Sequence, residues 1–456
     1  MSKGRVNWPA WLRILGLSMA VAGISLAAPG GGAGAETLSD ALELTYQRNP
    51  DLEAARARLR AVVEQVPQAL AGFRPRIFLD GSAAVVRGQN ELADVDRDTY
   101  GASARVLQNL YAGGGTTAAV ARAEASVRAE RARLYVTEQE VLLQAVAAYT
   151  AVVRDREVLR IAISNAERLK QHLAATRDRF EVGEVARTDV AQARARYSRA
   201  LADVEAARAD LASSETEYRR VVGQEPGELS TVPALEALPA TLEEAYALSD
   251  KHPLIEAARY QLTAAREAVQ EARAGLLPTV DLEGRLTYTE EPTATIDWQR
   301  EARIGVNVSI PLYQGGAAYA RVRQARQTVT RTRRELDSAV RRVQKQVGEA
   351  WERLMAAAEL IRAFEAQVEA NEIALEGVQE ENLVGTRTVL DVLDAEQELF
   401  DSRTGLVRAT QAHVQASYQL KSAIGQLTAY ELGLEVELYE PDRYYEQNRA
   451  RLFGLE

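Results

Sequence analysis

The sequence predicts a mixed α and β membrane protein: four strands per chain given to a shared β-barrel, which very long paired helices continue as a rod. Three observations predict it. The chain states the same plan twice, about two hundred residues apart. Each statement holds a stretch of more than sixty residues free of glycine and proline or nearly so. Each also holds one pair of segments in which apolar residues alternate with polar ones.

The repeat is carried by ordered landmarks. Thr37-Leu38-Ser39-Asp40-Ala41 matches Thr241-Leu242-Glu243-Glu244-Ala245, and Asn49-Pro50 matches His252-Pro253. Leu110-Tyr111-Ala112-Gly113-Gly114 matches Leu312-Tyr313-Gln314-Gly315-Gly316, and Val182-Gly183 matches Val384-Gly385. Pro50 and Pro253 stand 203 apart, Gly183 and Gly385 stand 202 apart, and Gly223 and Gly425 stand 202 apart. A register this constant implies an internal duplication into residues 36–230 and 231–430, with a tail at 431–456.

Residues 1–35 read as an export signal. Lys3, Arg5 and Arg13 precede an apolar run from Ile14 to Ala28, and Ala33-Gly34-Ala35 offers small residues for cleavage. Removing those three cations takes the net charge from −10 to −13, which disfavours nucleic acid as a partner. The absence of cysteine excludes structural disulfides and a lipidated cysteine. No later stretch is apolar enough for a membrane helix, so any crossing must use strands.

Each copy opens on a short helix. A strand pair follows at about 76–111 in the first and 279–313 in the second. In the second, Ala302, Ile304, Val306, Val308, Ile310 and Leu312 alternate with Arg303, Gly305, Asn307 and Ser309. Its hairpin partner alternates Val280, Leu282, Leu286 and Tyr288 with Asp281, Glu283, Arg285 and Thr287. One apolar and one hydrophilic face suit a wall between lipid and a watery lumen. Four strands cannot close, and an open edge in hydrocarbon costs several kcal/mol per unpaired backbone group. Three chains would supply twelve strands, within the range of such barrels. The acidic connections Asn90–Asp98 and Glu291–Trp298 are the expected outer loops.

Helical hairpins follow at 116–222 and 317–424. The stretch Thr116–Val182 predicts a helix of roughly 100 Å at about 1.5 Å per residue. Tyr197, Leu201, Val204, Ala207, Leu211, Ser214, Tyr218 and Val221 then alternate steps of three and four, a coiled-coil seam. Gly183 and Gly385 turn each long helix back on itself.

With these features in place, the chain resembles the TolC family of outer-membrane exit ducts over essentially its whole mature length. The sharpest matches are Val384-Gly385-Thr386-Arg387-Thr388-Val389-Leu390-Asp391-Val392-Leu393-Asp394-Ala395 and Phe180 to Gly183 with Thr188-Asp189-Val190. The resemblance implies a homotrimer in the outer membrane, with a barrel and a helical tunnel through the periplasm. It also implies a periplasmic adaptor (membrane fusion protein) and an inner-membrane ABC exporter or proton-driven pump as partners. The ending Leu438-Tyr439-Glu440-Pro441 with Arg451-Leu452-Phe453-Gly454 is similar to members serving type I protein secretion, the favoured cargo reading. Small-molecule efflux is the alternative, and a soluble periplasmic coiled-coil scaffold is the rival from another class.

The gate is expected at the far tip. Asp391 and Asp394 share a helical face, and in a trimer they would form stacked carboxylate rings with raised proton affinity. Arg387 lies four residues before Asp391, at the spacing of an ion pair. By the resemblance, Asp189 occupies a position that links neighbouring helices. The family's tyrosine three residues before the tip glycine is Asn382 here, so the lock is expected to be weaker or differently placed. Val182, Gly183, Glu184 and Val185, with Val384, Gly385 and Thr386, are the expected adaptor-docking tips.

Nothing points to an enzyme. The three histidines, His172, His252 and His413, form no metal-ligand spacing, and His252 beside Pro253 reads as a turn or cap. Gly113-Gly114-Gly115 has no following lysine and reads as a strand-to-helix turn. No catalytic residue, metal or cofactor is expected.

Overall fold

The computed structural model describes residues 35–89, 94–235, 237–293 and 295–454. The expected export signal therefore lies outside the described residues, apart from Ala35. The first copy runs α1 (Leu38–Arg48), α2 (Pro50–Val63), α3 (Gln65–Leu70), β1 (Arg76–Gln89), β2 (Asp94–Ala112), α4 (Gly115–Glu181) and α5 (Arg187–Val222). The second runs α6 (Leu242–Ser249), α7 (Pro253–Ala274), β3 (Thr279–Thr293), β4 (Ile296–Ser309), α8 (Ala317–Leu383) and α9 (Val389–Ala423), and α10 (Pro441–Asn448) lies in the tail.

Both copies start on matched caps. Asn49 accepts the Asp51 amide at 3.0 Å, and His252 Nδ1 accepts the Leu254 amide at 3.1 Å. Pro50 and Pro253 each occupy the first helical turn, where no amide donor is needed.

The strands form one antiparallel sheet in the order β1-β2-β3-β4. Their 14 to 19 residues exceed the nine to eleven that cross a bilayer, so the sheet extends past the hydrocarbon. One face carries cross-strand rows such as Ile77, Val106, Gly284, Ile304 and Leu79, Ala104, Leu286, Ala302. Its large side chains are bare, with Leu79 at 84% and Ile304 at 79% exposure. Tyr100 and Trp298, with Tyr288 one row nearer the apolar band, form an aromatic margin, and Arg300 stacks on Trp298 at 5.1 Å and Tyr288 at 5.7 Å. The opposite face is polar.

Strand ends differ from expectation in two places. β4 stops at Ser309 because Pro311 has no donor to continue the ladder, which leaves Ile310 and Leu312 outside it. The outer connections are shorter than 90–98 and 291–298. Pairing persists to Gln89 with Asp94 and to Thr293 with Ile296, and positions 90–93 and 294 lie outside the described residues.

α4 and α8 each have 67 residues, about 100 Å of helix. α7 packs along the sheet-side half of both, α5 along the far half of α4, and α9 along α8 and α4. Midway, a core gathers Leu38 and Leu42 of α1, Leu142 and Tyr149 of α4, Tyr218 of α5 and Val414 of α9. Glu36 is tied into this waist. Its carboxylate accepts from the Tyr218 hydroxyl at 2.5 Å and Gln224 at 3.1 Å, and its carbonyl accepts from the Tyr149 hydroxyl at 2.7 Å.

Candidate functional site

The site is the rod end away from the sheet, where both helical hairpins turn. Each long helix ends in a Schellman motif. The Gly183 amide donates to the Phe180 carbonyl at 3.0 Å and the Glu184 amide to that of Arg179 at 2.9 Å. The Gly385 amide likewise donates to Asn382 at 3.1 Å and the Thr386 amide to Glu381 at 3.0 Å. Both glycines have φ of 80°, a region costly for a residue with a Cβ. Val182 at 72% and Val384 at 75% exposure are left bare, as are Glu184 and Thr386, while Val185 is half-buried.

The expected gate residues sit close together but pair differently. Asp391 is the third residue of α9 and closes a capping box: its carboxylate accepts from the Thr388 amide and hydroxyl, each at 2.8 Å. Within one subunit those Thr388 bonds hold its pKa below the usual aspartate range. Arg387 does not bridge to Asp391. Residues 384–388 form the turn, so the two share no helical face, and the guanidinium pairs with Glu381 at 2.8 Å. Asp189 of the first copy also caps, accepting from the Ala186 amide at 3.0 Å.

Toward the tip, three polar links among the described residues join the hairpins of the two copies. Arg179 of α4 donates to Asn382 Oδ1 at 3.3 Å, while Asn382 Nδ2 donates to the Arg387 carbonyl at 2.9 Å. Arg196 of α5 pairs with Asp394 of α9 at 2.5 Å. Deeper in the rod, Glu396 of α9 is fully buried and meets Arg168 at 2.8 Å and His172 at 3.6 Å, both on α4. Burial pushes the Glu396 carboxyl up, and the facing His172 and Arg168 outweigh it and bring the pKa below the usual glutamate value. Residue spacing did not reveal this cluster. Its only signal was a carboxylate set between Leu393 and Leu399 on an otherwise apolar stripe.

Comparison with known proteins agrees with the duplicated fold. The family model described as outer membrane efflux protein matches residues 41–224 and again 245–426, one match per copy. The outer membrane efflux protein BepC of Brucella suis biovar 1 is 38% identical over 422 residues, covering 92% of each chain. The outer membrane protein TolC of Vibrio cholerae serotype O1 is 29% identical over 404 residues, covering 86% of this chain and 92% of the relative. The crystal structure of the CmeC outer membrane channel of Campylobacter jejuni superposes with a TM-score of 0.80 at 15% identity, covering 91% of this chain and 89% of that one. The chain belongs to the outer membrane efflux protein family and is a TolC-type channel subunit, not an enzyme, seated in the outer membrane with its helical rod as the periplasmic tunnel.

Proposed function

We propose that three copies form a passive exit duct that stays shut at the tip until a periplasmic adaptor docks on the two helical turns. The observation that carries this is the pairing of bare Schellman turns with polar links between hairpins directly behind them. Small and branched residues at Val182–Val185 and Val384–Thr386 can enter a groove on a partner hairpin. Moving one hairpin relative to the other breaks the Arg179–Asn382 and Arg196–Asp394 contacts without opening any helix. In the trimer, Asp391 and Asp394 are placed near the axis, where they attract cations. Replacing both by alanine is expected to weaken cation selectivity and divalent-cation block in planar bilayers. Unchanged selectivity would place these carboxylates off the pore.

For cargo, we read the duct as serving small-molecule efflux with an inner-membrane pump. The support is the 38% identity to a protein named for efflux. Type I protein secretion with an ABC exporter is the second reading. It is favoured by the ending Leu438-Tyr439-Glu440-Pro441 with Arg451-Leu452-Phe453-Gly454, which is similar to members serving type I secretion. A deletion strain separates them. Efflux predicts sensitivity to toxic compounds with normal protein export, and secretion predicts the reverse.

A further inference from the structure

On the polar face of the sheet, Arg105 of β2 lies directly opposite Arg285 of β3, and Arg285 lies directly opposite Arg303 of β4. Neighbouring strands are about 4.8 Å apart, so three guanidinium-bearing residues share one level within about 10 Å. Like charges directly opposite each other destabilise a sheet, and an alternation of sign along the row would have avoided this. Two levels further along the same face no such clash arises: Asn109 lies opposite Asp281 and donates to it at 2.9 Å.

Neutralisation of the row is incomplete. Glu283 meets Arg285 at 2.9 Å, whereas Arg105 and Arg303 make no ion pair among the described residues. Arg105 lies over the Phe78 ring at 4.9 Å, with its Nε shielded from solvent and without a hydrogen-bond partner. The remaining acids nearby, Asp80 and Glu301, belong to the next cross-strand level, opposite Ser103 and Thr287. The other face of the same strands carries Val106, Leu286 and Ile304, so the arginines point away from lipid.

We infer that Arg105, Arg285 and Arg303 form an anion-binding girdle in the barrel lumen, which takes phosphate- and carboxylate-bearing solutes on their way out. The inference rests on the trimeric duct reading. Three chains bring three such rows, nine guanidinium groups, to one level of one ring. Rings of arginine are how pores hold anions, and the planar guanidinium matches phosphate and carboxylate oxygens in pairs. The girdle thus has the opposite sign to the carboxylates at the tip.

The test is current block in planar bilayers by inorganic hexametaphosphate added from the barrel side. The unaltered channel should be blocked. The combined R105Q, R285Q and R303Q variant should need about tenfold more polyanion. The combined R105K, R285K and R303K variant should retain block, and R300Q on the lipid-facing side should leave it unchanged. A heat-labile oligomer on gels certifies assembly, and each single glutamine variant, expected to shift block about threefold, serves if the triple variant does not assemble. Channels that conduct but are not blocked, or block that survives the glutamine substitutions, would overturn the girdle. Where the unaltered protein stays shut, the same block is read in the Asn382→Ala background, whose tip link is broken, and no channel activity even there would instead overturn the duct reading.

Discussion

Individual side chains at the tip separate capping from locking. Asp391 and Asp189 hold helix starts, whereas Asn382, Asp394 and Glu396 connect one copy to the other. Asn382→Ala is therefore expected to raise closed-state conductance more than Arg387→Ala, whose guanidinium pairs only within its own turn. Equal leaks in planar bilayers would refute that ranking. Arg168→Ala leaves a buried carboxylate without its nearest cation, at a cost on the order of 3 kcal/mol. Hydrogen exchange of amides around Glu396 reads that loss. Because the folded-state pKa of Glu396 is depressed, its stabilisation is complete above the ordinary glutamate pKa of about 4.3 and disappears as pH falls through the lower folded value. Conductance should thus stay flat on mild acidification and rise only in stronger acid, and Glu396→Gln should abolish that rise. The cluster was hidden in the sequence because burial of a lone glutamate depends on α4, more than two hundred residues away. The pairing of Arg387 was misjudged for a local reason: an i,i+4 rule holds only inside a continuous helix, and α9 begins two residues later.

At the level of elements, most of the architecture was legible because its punctuation is chemical. Glycine at 183 and 385 marks helix turns, proline at 50 and 253 marks helix starts, and the alternation of Ile304, Val306 and Val308 marks a lipid wall. What the repeat could not reveal is which contacts each half makes inside one subunit. Gly113 and Gly315 are equivalent in sequence and both have φ of 60°, but a Cβ on Gly113 would lie 2.7 Å from that of Leu277 and 2.9 Å from the Ala274 carbonyl, whereas Gly315 faces open space. Gly113→Ala should therefore clash within its own subunit on top of a backbone strain of about 1–2 kcal/mol and impair assembly severely, while Gly315→Ala adds that strain with no clash inside the subunit. The yield of heat-labile oligomer compares the two. At the tips, Gly385→Ala carries similar strain and should loosen the turn proposed for docking, seen as weaker adaptor cross-linking with normal membrane insertion.

The whole molecule is a stave attached to a long rod, with its waist pinned by α1 and by Glu36. It should sediment with the outer membrane and resist extraction without detergent, and recovery as a soluble monomer would contradict the fold's meaning. The sheet order β1-β2-β3-β4 leaves the outer margins of β1 and β4 without a ladder partner among the described residues. Those bare margins tie the fate of each subunit to its neighbours. A cell that makes equal amounts of normal and defective polypeptide would retain about one wholly sound pore in eight. A lesion that blocks transport yet permits barrel closure should behave as a genetic poison, dominant over the intact gene, whereas one that prevents edge pairing should be recessive.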